Sequence, residues 1–184
     1  MPTWRCWTAA SPPGRPAVGH SAVAVLDGGF AAWQAAGGSV ETEVTASKAA
    51  APYLLAKALV DTIDADTLAG KLGQVRLIDA RAGERFRGEV EPLDAQAGHI
   101  PGALNRFFKD NLAGDGRFKS PEQLRTEWTP LVAGGAPVVH QCGSGATACH
   151  NMLAMVVAGL GSSTLYPGSW SEWSSDPAKP VAQG

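Results

Sequence analysis

Apolar positions in this chain follow two different periods. Short runs of Val, Ile and Leu, each a few residues long, fall at 22–26, 58–60, 74–79, 103–105, 138–140 and 163–166. Runs of that length bounded by Gly, Pro or Asp predict strands, and 74–79 is apolar enough for a parallel strand buried on both faces. Between them lie segments with the helical period. Residues 30–36 predict a short helix closed by Gly37 and Gly38. A second helix starts in the acidic stretch 61–64, where an aspartate can cap it, and runs to about Lys71. A third begins at Ser120-Pro121-Glu122-Gln123, with Ser as N-cap and Pro in the first turn, and runs to about Val132. A fourth follows the Gly-rich turn 143–145. Its apolar face is read at Ala148, Cys149, Met152, Leu153, Val156 and Leu160, and Gly159 and Gly161 stop it. The segment 79–98 reads as a long charged loop. Alternation of strands and helices predicts an α/β fold with a parallel sheet.

The first 18 residues carry neither period. They hold Trp4, Cys6, Trp7 and four prolines, and Pro12-Pro13-Gly14-Arg15-Pro16 continues no regular element, so 1–18 is expected to be poorly ordered. Leu26-Asp27-Gly28-Gly29-Phe30-Ala31-Ala32-Trp33 lines up with Tyr166-Pro167-Gly168-Ser169-Trp170-Ser171-Glu172-Trp173. Each is a strand end, a glycine turn and an aromatic-x-x-Trp helix start, which makes an internal repeat. Residues 41–52 read as a linker.

Composition narrows the function classes. The formal net charge is −2, which gives no electrostatic footprint for nucleic acid. No apolar run approaches the ~20 residues needed to span a bilayer. The N-terminus lacks a basic region followed by an apolar core, so no signal peptide is read. Three cysteines, Cys6, Cys142 and Cys149, do not form a disulfide framework. A working thiol suits a reducing compartment, so a cytoplasmic location is expected.

Cys142 carries the candidate chemistry. It is expected between the C-terminal end of a buried strand and the N-terminus of a helix, the edge where open α/β sheets bind ligands. The amides of Gly143, Ser144, Gly145, Ala146 and Thr147 can form an anion nest around the sulfur, and the helix dipole adds roughly 0.3–1 kcal/mol in favour of negative charge. Both favour thiolate, the nucleophilic form. A cysteine phosphatase would need an arginine six positions later as an oxyanion clamp, and that position is Ala148. A metal site would need further ligands, and Cys142 and Cys149 form no CxxC pair. His140 stands two residues upstream; a strand that persists would put it on the face of Cys142. Cys149 reads as core.

Cys142-Gly143-Ser144-Gly145-Ala146-Thr147 resembles the active-site loop of rhodanese-type sulfurtransferases in their 3-mercaptopyruvate form. Asp79-Ala80-Arg81, Arg85-Phe86 and Gly98-His99-Ile100-Pro101-Gly102-Ala103-Leu104-Asn105 resemble the front half of such a domain. Residues 166–173 resemble its closing motif. The resemblance implies a rhodanese-like domain over 47–184, with a central parallel sheet flanked by helices on both faces. Residues 19–46 resemble the tail of an upstream module plus a linker, and the body that would precede them is not matched. The implied chemistry is transfer of sulfur from 3-mercaptopyruvate or thiosulfate through a persulfide on Cys142 to a thiol or cyanide. Arg85 is implied as the group that binds the donor's anion, and the loop 143–147 as the rest of the substrate site. Neutral Gly143 and Ser144 do not make the basic loop that a dianion favours, and the Ser144 hydroxyl is placed to bond a leaving enolate. A second arginine, about nine residues after the first in some mercaptopyruvate enzymes, is replaced by Leu93-Asp94. Those enzymes also take a His and an Asp from the upstream module. Asp79, Arg81, His99, Trp170 and Trp173 are read as structural. No metal or cofactor is implied. The expected partners are a small sulfur donor and a thiol acceptor, either a small thiol or a thioredoxin-like protein; nucleic acid and membrane are not expected. Three readings stay open: an active sulfurtransferase, a catalytically weak binding or sulfur-relay module, and a truncated product of a two-module enzyme.

Overall fold

The computed structural model describes residues 24–43, 46, 52, 54 and 56–184. The expected lack of order at 1–18, the first residues of the strand expected at 22–26, and residues 44, 45 and 47–51 of the expected linker lie outside the described residues.

Four parallel strands form the sheet: β1 (Arg76–Asp79), β2 (Leu104–Asn105), β3 (Val138–Gln141) and β4 (Thr164–Leu165), in the order β2-β1-β3-β4. The register pairs Ile78 with Leu104 and His140, and His140 with Leu165. Among the described residues there are six α-helices: α1 (Gly29–Ala35), α2 (Ala65–Ala69), α3 (Gly83–Phe86), α4 (Pro121–Val132), α5 (Ala146–Val157) and α6 (Ser169–Ser175). Side chains alternate across a strand, so neighbours in β1 and β3 feed opposite faces. Leu77 and Val139 pack with Leu68 of α2 and Trp170 and Trp173 of α6. Ile78 packs with Leu124 and Trp128 of α4 and Ala154 and Met155 of α5. The sheet is therefore covered on both faces, as an all-parallel sheet requires.

Caps set the helix starts. Ser120 and Gln123 close a reciprocal capping box on α4, with Pro121 at its first position. Asp64 caps α2 by accepting from the Thr67 amide at 2.7 Å.

Four expectations change. Residues 58–60 form no strand; Thr62 makes a single parallel bridge to Leu165. The apolar run itself stays outside the ladder, and Leu59 is 43% exposed. Residues 24–26 form no strand either; the Leu26 carbonyl accepts from the Gly29 amide at 2.8 Å in a turn, not from a neighbouring strand, and Leu26 is 55% exposed. The charged stretch after β1 contains α3. On α5, Val156 faces outward and the buried stripe runs through Ala148, Asn151, Met152 and Met155 instead. A polar residue belongs to that stripe because its amide is used: Asn151 donates to the Arg106 carbonyl at 2.8 Å and accepts from Asn111 at 2.7 Å.

Candidate active site

The chain order reverses between β1 and β3: from β1 it steps to β2 on one side, then crosses to β3 on the other. Crevices at such a switch point open at the carboxyl ends of the strands. There a cleft of about 350 Å³ is bordered by Ala80 and Arg81 after β1 and by Cys142 after β3. Phe107 and Phe108 wall one side, and Leu93, Asp94 and Ser171 another.

Cys142 is buried and borders this cleft. Its amide donates to the Ser169 hydroxyl at 3.1 Å, and its carbonyl accepts from the Trp170 amide at 3.0 Å. The Ser171 amide donates to the Gly143 carbonyl at 2.9 Å, so α6 fixes both ends of the turn. Ser169 holds φ 53°, a conformation rare for a side chain with a Cβ, and its hydroxyl donates onward to the Tyr166 carbonyl at 2.9 Å.

Gly145 caps α5 with φ 83° and offers no side chain to its first-turn amides. A Cβ there would meet the Pro167 carbonyl oxygen at 2.7 Å, so glycine is needed on two counts. The uncapped amides at the start of α5 have no partner within the helix, which leaves them free to face an anion. Gly143, Ser144, Ala146 and Thr147 line the cleft with Cys142; Gly145 does not, because it faces Pro167.

Arg85 reaches the same cleft from α3. Its Nη2 donates to Glu91 Oε1 at 2.6 Å and to Asp94 Oδ2 at 2.8 Å. Its Nη1 lies 3.6 Å from where a Cβ on Gly143 would stand, and its buried Nε has no hydrogen-bond partner. Burial pushes the Glu91 carboxyl up, but the bonds it accepts from Arg85 and from the Leu93 and Asp94 amides outweigh that and hold it below the usual carboxylate range. Glu91 also bonds Arg81, which is clamped on Asp79 and the Gly98 carbonyl and lies over the Trp170 ring at 4.6 Å.

His140 makes no hydrogen bond to Cys142, although both lie on the α5 side of the sheet. It points into the α4–α5 face, with its Nε2 3.1 Å from the Met155 sulfur and its ring 5.6 Å from that of Trp128. Burial pushes its pKa down to about 3. Cys149 sits one turn into α5, its thiol 3.3 Å from the Gly145 carbonyl, and does not line the cleft. His99 shapes its loop as expected: its amide and carbonyl pair with Ala182 and its ring stacks on Phe86 at 3.9 Å. Trp170 and Trp173 are fully buried core. No group of three or more His, Cys, Asp or Glu suited to a metal occurs among the described residues, and no helix among them is long and apolar enough to cross a membrane.

Reasoning along the sequence missed Glu91, Asp94, Ser169 and Ser171. Ser171 Oγ donates to Asp94 Oδ1 across 77 positions of chain, a pairing that no local period can signal. For Ser169 the only signal was membership of the closing motif.

The profile of the rhodanese-like domain family matches residues 64–176. A protein of Pseudomonas aeruginosa named as a probable 3-mercaptopyruvate sulfurtransferase is 51% identical over 167 residues, covering 88% of this chain and 58% of that protein. A thiosulfate sulfurtransferase of Cricetulus griseus is 37% identical over 175 residues, covering 90% of this chain and 58% of that protein. The chain thus spans a little under three-fifths of the length of these curated relatives. Among solved structures, an anaerobic ergothioneine biosynthesis enzyme from Chlorobium limicola, bound to trimethyl histidine, superposes with a TM-score of 0.76 at 23% identity, covering 86% of this chain and 41% of that one. At that identity the likeness concerns the fold. With a family profile that spans more than half of its residues, this chain belongs to the rhodanese-like domain family.

Proposed function

We propose that the chain transfers sulfur through a persulfide on Cys142, with 3-mercaptopyruvate or thiosulfate as donor. The observation that carries this reading is the placement of Cys142 at the β3–α5 turn, in one cleft with Arg85, whose Nε has no hydrogen-bond partner. The names of the relatives support the same chemistry. In the first step the Cys142 thiolate attacks the transferable sulfur. With 3-mercaptopyruvate the C–S bond breaks and its electron pair leaves on the pyruvate enolate, which then takes a proton. With thiosulfate the S–S bond breaks and sulfite leaves. In the second step a thiolate or cyanide attacks the outer persulfide sulfur, and the Cys142 thiolate returns. The amides at the start of α5 stabilise negative charge on sulfur, Nη1 and Nε of Arg85 hold the donor's anionic end, and the Ser144 hydroxyl at the exposed rim bonds the leaving enolate. The acceptor is a small thiol or a thioredoxin-like protein, and a reducing, cytoplasmic setting suits it. The catalytic domain is residues 47–184. Residues 19–46 represent the tail of a second module of the same kind plus a linker, a reading supported by the repeat of the 166–173 motif at 26–33.

Donor treatment followed by peptide mass spectrometry tests the reading. One sulfur, about 32 Da, should appear on the Cys142 peptide and vanish in Cys142→Ser, while Cys149→Ser and Cys6→Ser retain it. A mass shift that maps to Cys149 would overturn the assignment.

A further inference from the structure

We propose that Asp94 sets the charge of the donor that this cleft accepts, selecting singly charged donors over dianions. The inference rests on the reading above, that Cys142 and Arg85 bind an anionic donor. Arg85 is the natural anion receptor, yet Asp94 is bonded to it at 2.8 Å and itself lines the cleft beside Cys142. Glu91 takes the same nitrogen at 2.6 Å and also pairs with Arg81, which Asp79 already neutralises. Around the cleft two arginines therefore face three carboxylates, a balance of one net negative charge. Lys109, whose ammonium lies 6.0 Å from the Phe107 and Phe108 rings, stands outside the lining.

The two carboxylates differ in what they do. Glu91 is nearly enclosed and braces both arginines, so Arg85 keeps its orientation without help from Asp94. Asp94 is almost as enclosed, its side chain 7% exposed against 4% for Glu91, but it lines the cleft where Glu91 does not, and its second oxygen accepts from the Ser171 hydroxyl on α6, which fixes the carboxylate in the cleft wall. Its charge therefore acts on the incoming donor. A dianion feels that repulsion twice as strongly as a monoanion at the same distance, so the charge discriminates between donors even where Arg85 attracts both.

Alkylation of Cys142 reads this charge without any sulfur chemistry. Iodoacetate carries one negative charge and iodoacetamide none, so the ratio of their rate constants reports the local field. In Asp94→Asn the ratio should rise about fivefold, and the rise should shrink at high salt. Glu89→Gln removes an exposed surface carboxylate that is paired with Arg87 and should leave the ratio unchanged. Leu93→Lys, at a position 77% exposed on the cleft edge, sets the opposite charge beside Asp94 and should shift the ratio the same way without disturbing the buried network. In turnover, Asp94→Asn should raise kcat/KM for thiosulfate relative to 3-mercaptopyruvate by a similar factor. An unchanged alkylation ratio in both Asp94→Asn and Leu93→Lys, or an equal rise in Glu89→Gln, overturns the proposal. A shifted ratio in a protein that transfers no sulfur upholds the role of Asp94 in the field at Cys142 and overturns the sulfurtransferase reading instead.

Discussion

Two stretches of this chain carry the same local design and meet opposite fates. Both α1 and α6 are seven-residue helices that follow a glycine turn, and both have tryptophan at the fifth position. The two indoles even behave alike: Trp33 Nε1 donates to the Ser39 carbonyl at 2.9 Å, and Trp173 Nε1 donates to the Pro180 carbonyl at 2.8 Å. Yet Trp170 and Trp173 are 0% exposed, whereas Phe30 is 59% and Trp33 43% exposed. α6 lies on a sheet face and ties down the Cys142 turn. α1 buries no residue, and its segment is attached to the body by contacts such as the bond from the Phe118 amide to Asp27. A helix is thus specified locally, but what it is worth depends on the surface it finds.

The sharpest test of that contrast is paired truncation. Trp173→Ala should cost about 3–5 kcal/mol in urea unfolding, because it empties a filled core site. Trp33→Ala should cost about 1 kcal/mol or less, since half its ring already meets water. Equal losses would mean that residues 24–40 form part of the same cooperative core.

His140 offers a pH-dependent version. Its pKa is pushed from 6.5 to about 3 by burial in the folded protein, while the unfolded chain titrates near the ordinary value. Below about pH 6.5 the unfolded state binds a proton that the native state refuses. The contribution is therefore whole above pH 6.5 and is lost as pH falls toward 3, by about 1.4 kcal/mol per unit. Unfolding free energies measured at pH 6 and pH 4 should differ by about 2–3 kcal/mol from this residue alone, and His140→Gln should flatten that part of the curve. A slope unchanged in the variant would place the acid sensitivity elsewhere.

Arg85 and Arg87 repeat the comparison within one helix turn. Arg85→Ala should lower kcat/KM by roughly 10- to 150-fold, about 1.5–3 kcal/mol, through loss of a charge-assisted bond to the donor. Arg87 pairs with exposed Glu89, which holds its guanidinium above the usual arginine range, and Arg87→Ala should leave turnover unchanged. Equal small effects would reduce Arg85 to a surface charge. The smallest expected effect is at Asp27. Asp27→Ala removes the bond from the Phe118 amide and should cost about 0.5–1 kcal/mol. Limited proteolysis should then cut within residues 24–40 faster while leaving the Cys142 cleft intact.

Sequence by itself determined the features whose causes are local. The α4 start follows from Ser120, Pro121 and Gln123, which satisfy their own helix end. The β3–turn–α5 placement of Cys142 follows from an apolar run, a glycine that alone accepts φ 83°, and a helical period. What needed the tertiary structure was everything set by partners far along the chain. Whether 24–26 or 58–60 pairs as a strand depends on a neighbouring backbone, because a strand's hydrogen bonds lie outside itself. The strand period left open whether His140 serves Cys142; both turn toward α5, where Cys142 packs with Ala148 and Met152, but the imidazole is taken up by Met155 and Trp128 and not by the thiol. Asp94 read as a departure in a charged loop, and only the fold brought it to Arg85 and to Ser171 beside the thiol. Charge acts through space, and the order of residues along a chain does not carry that distance.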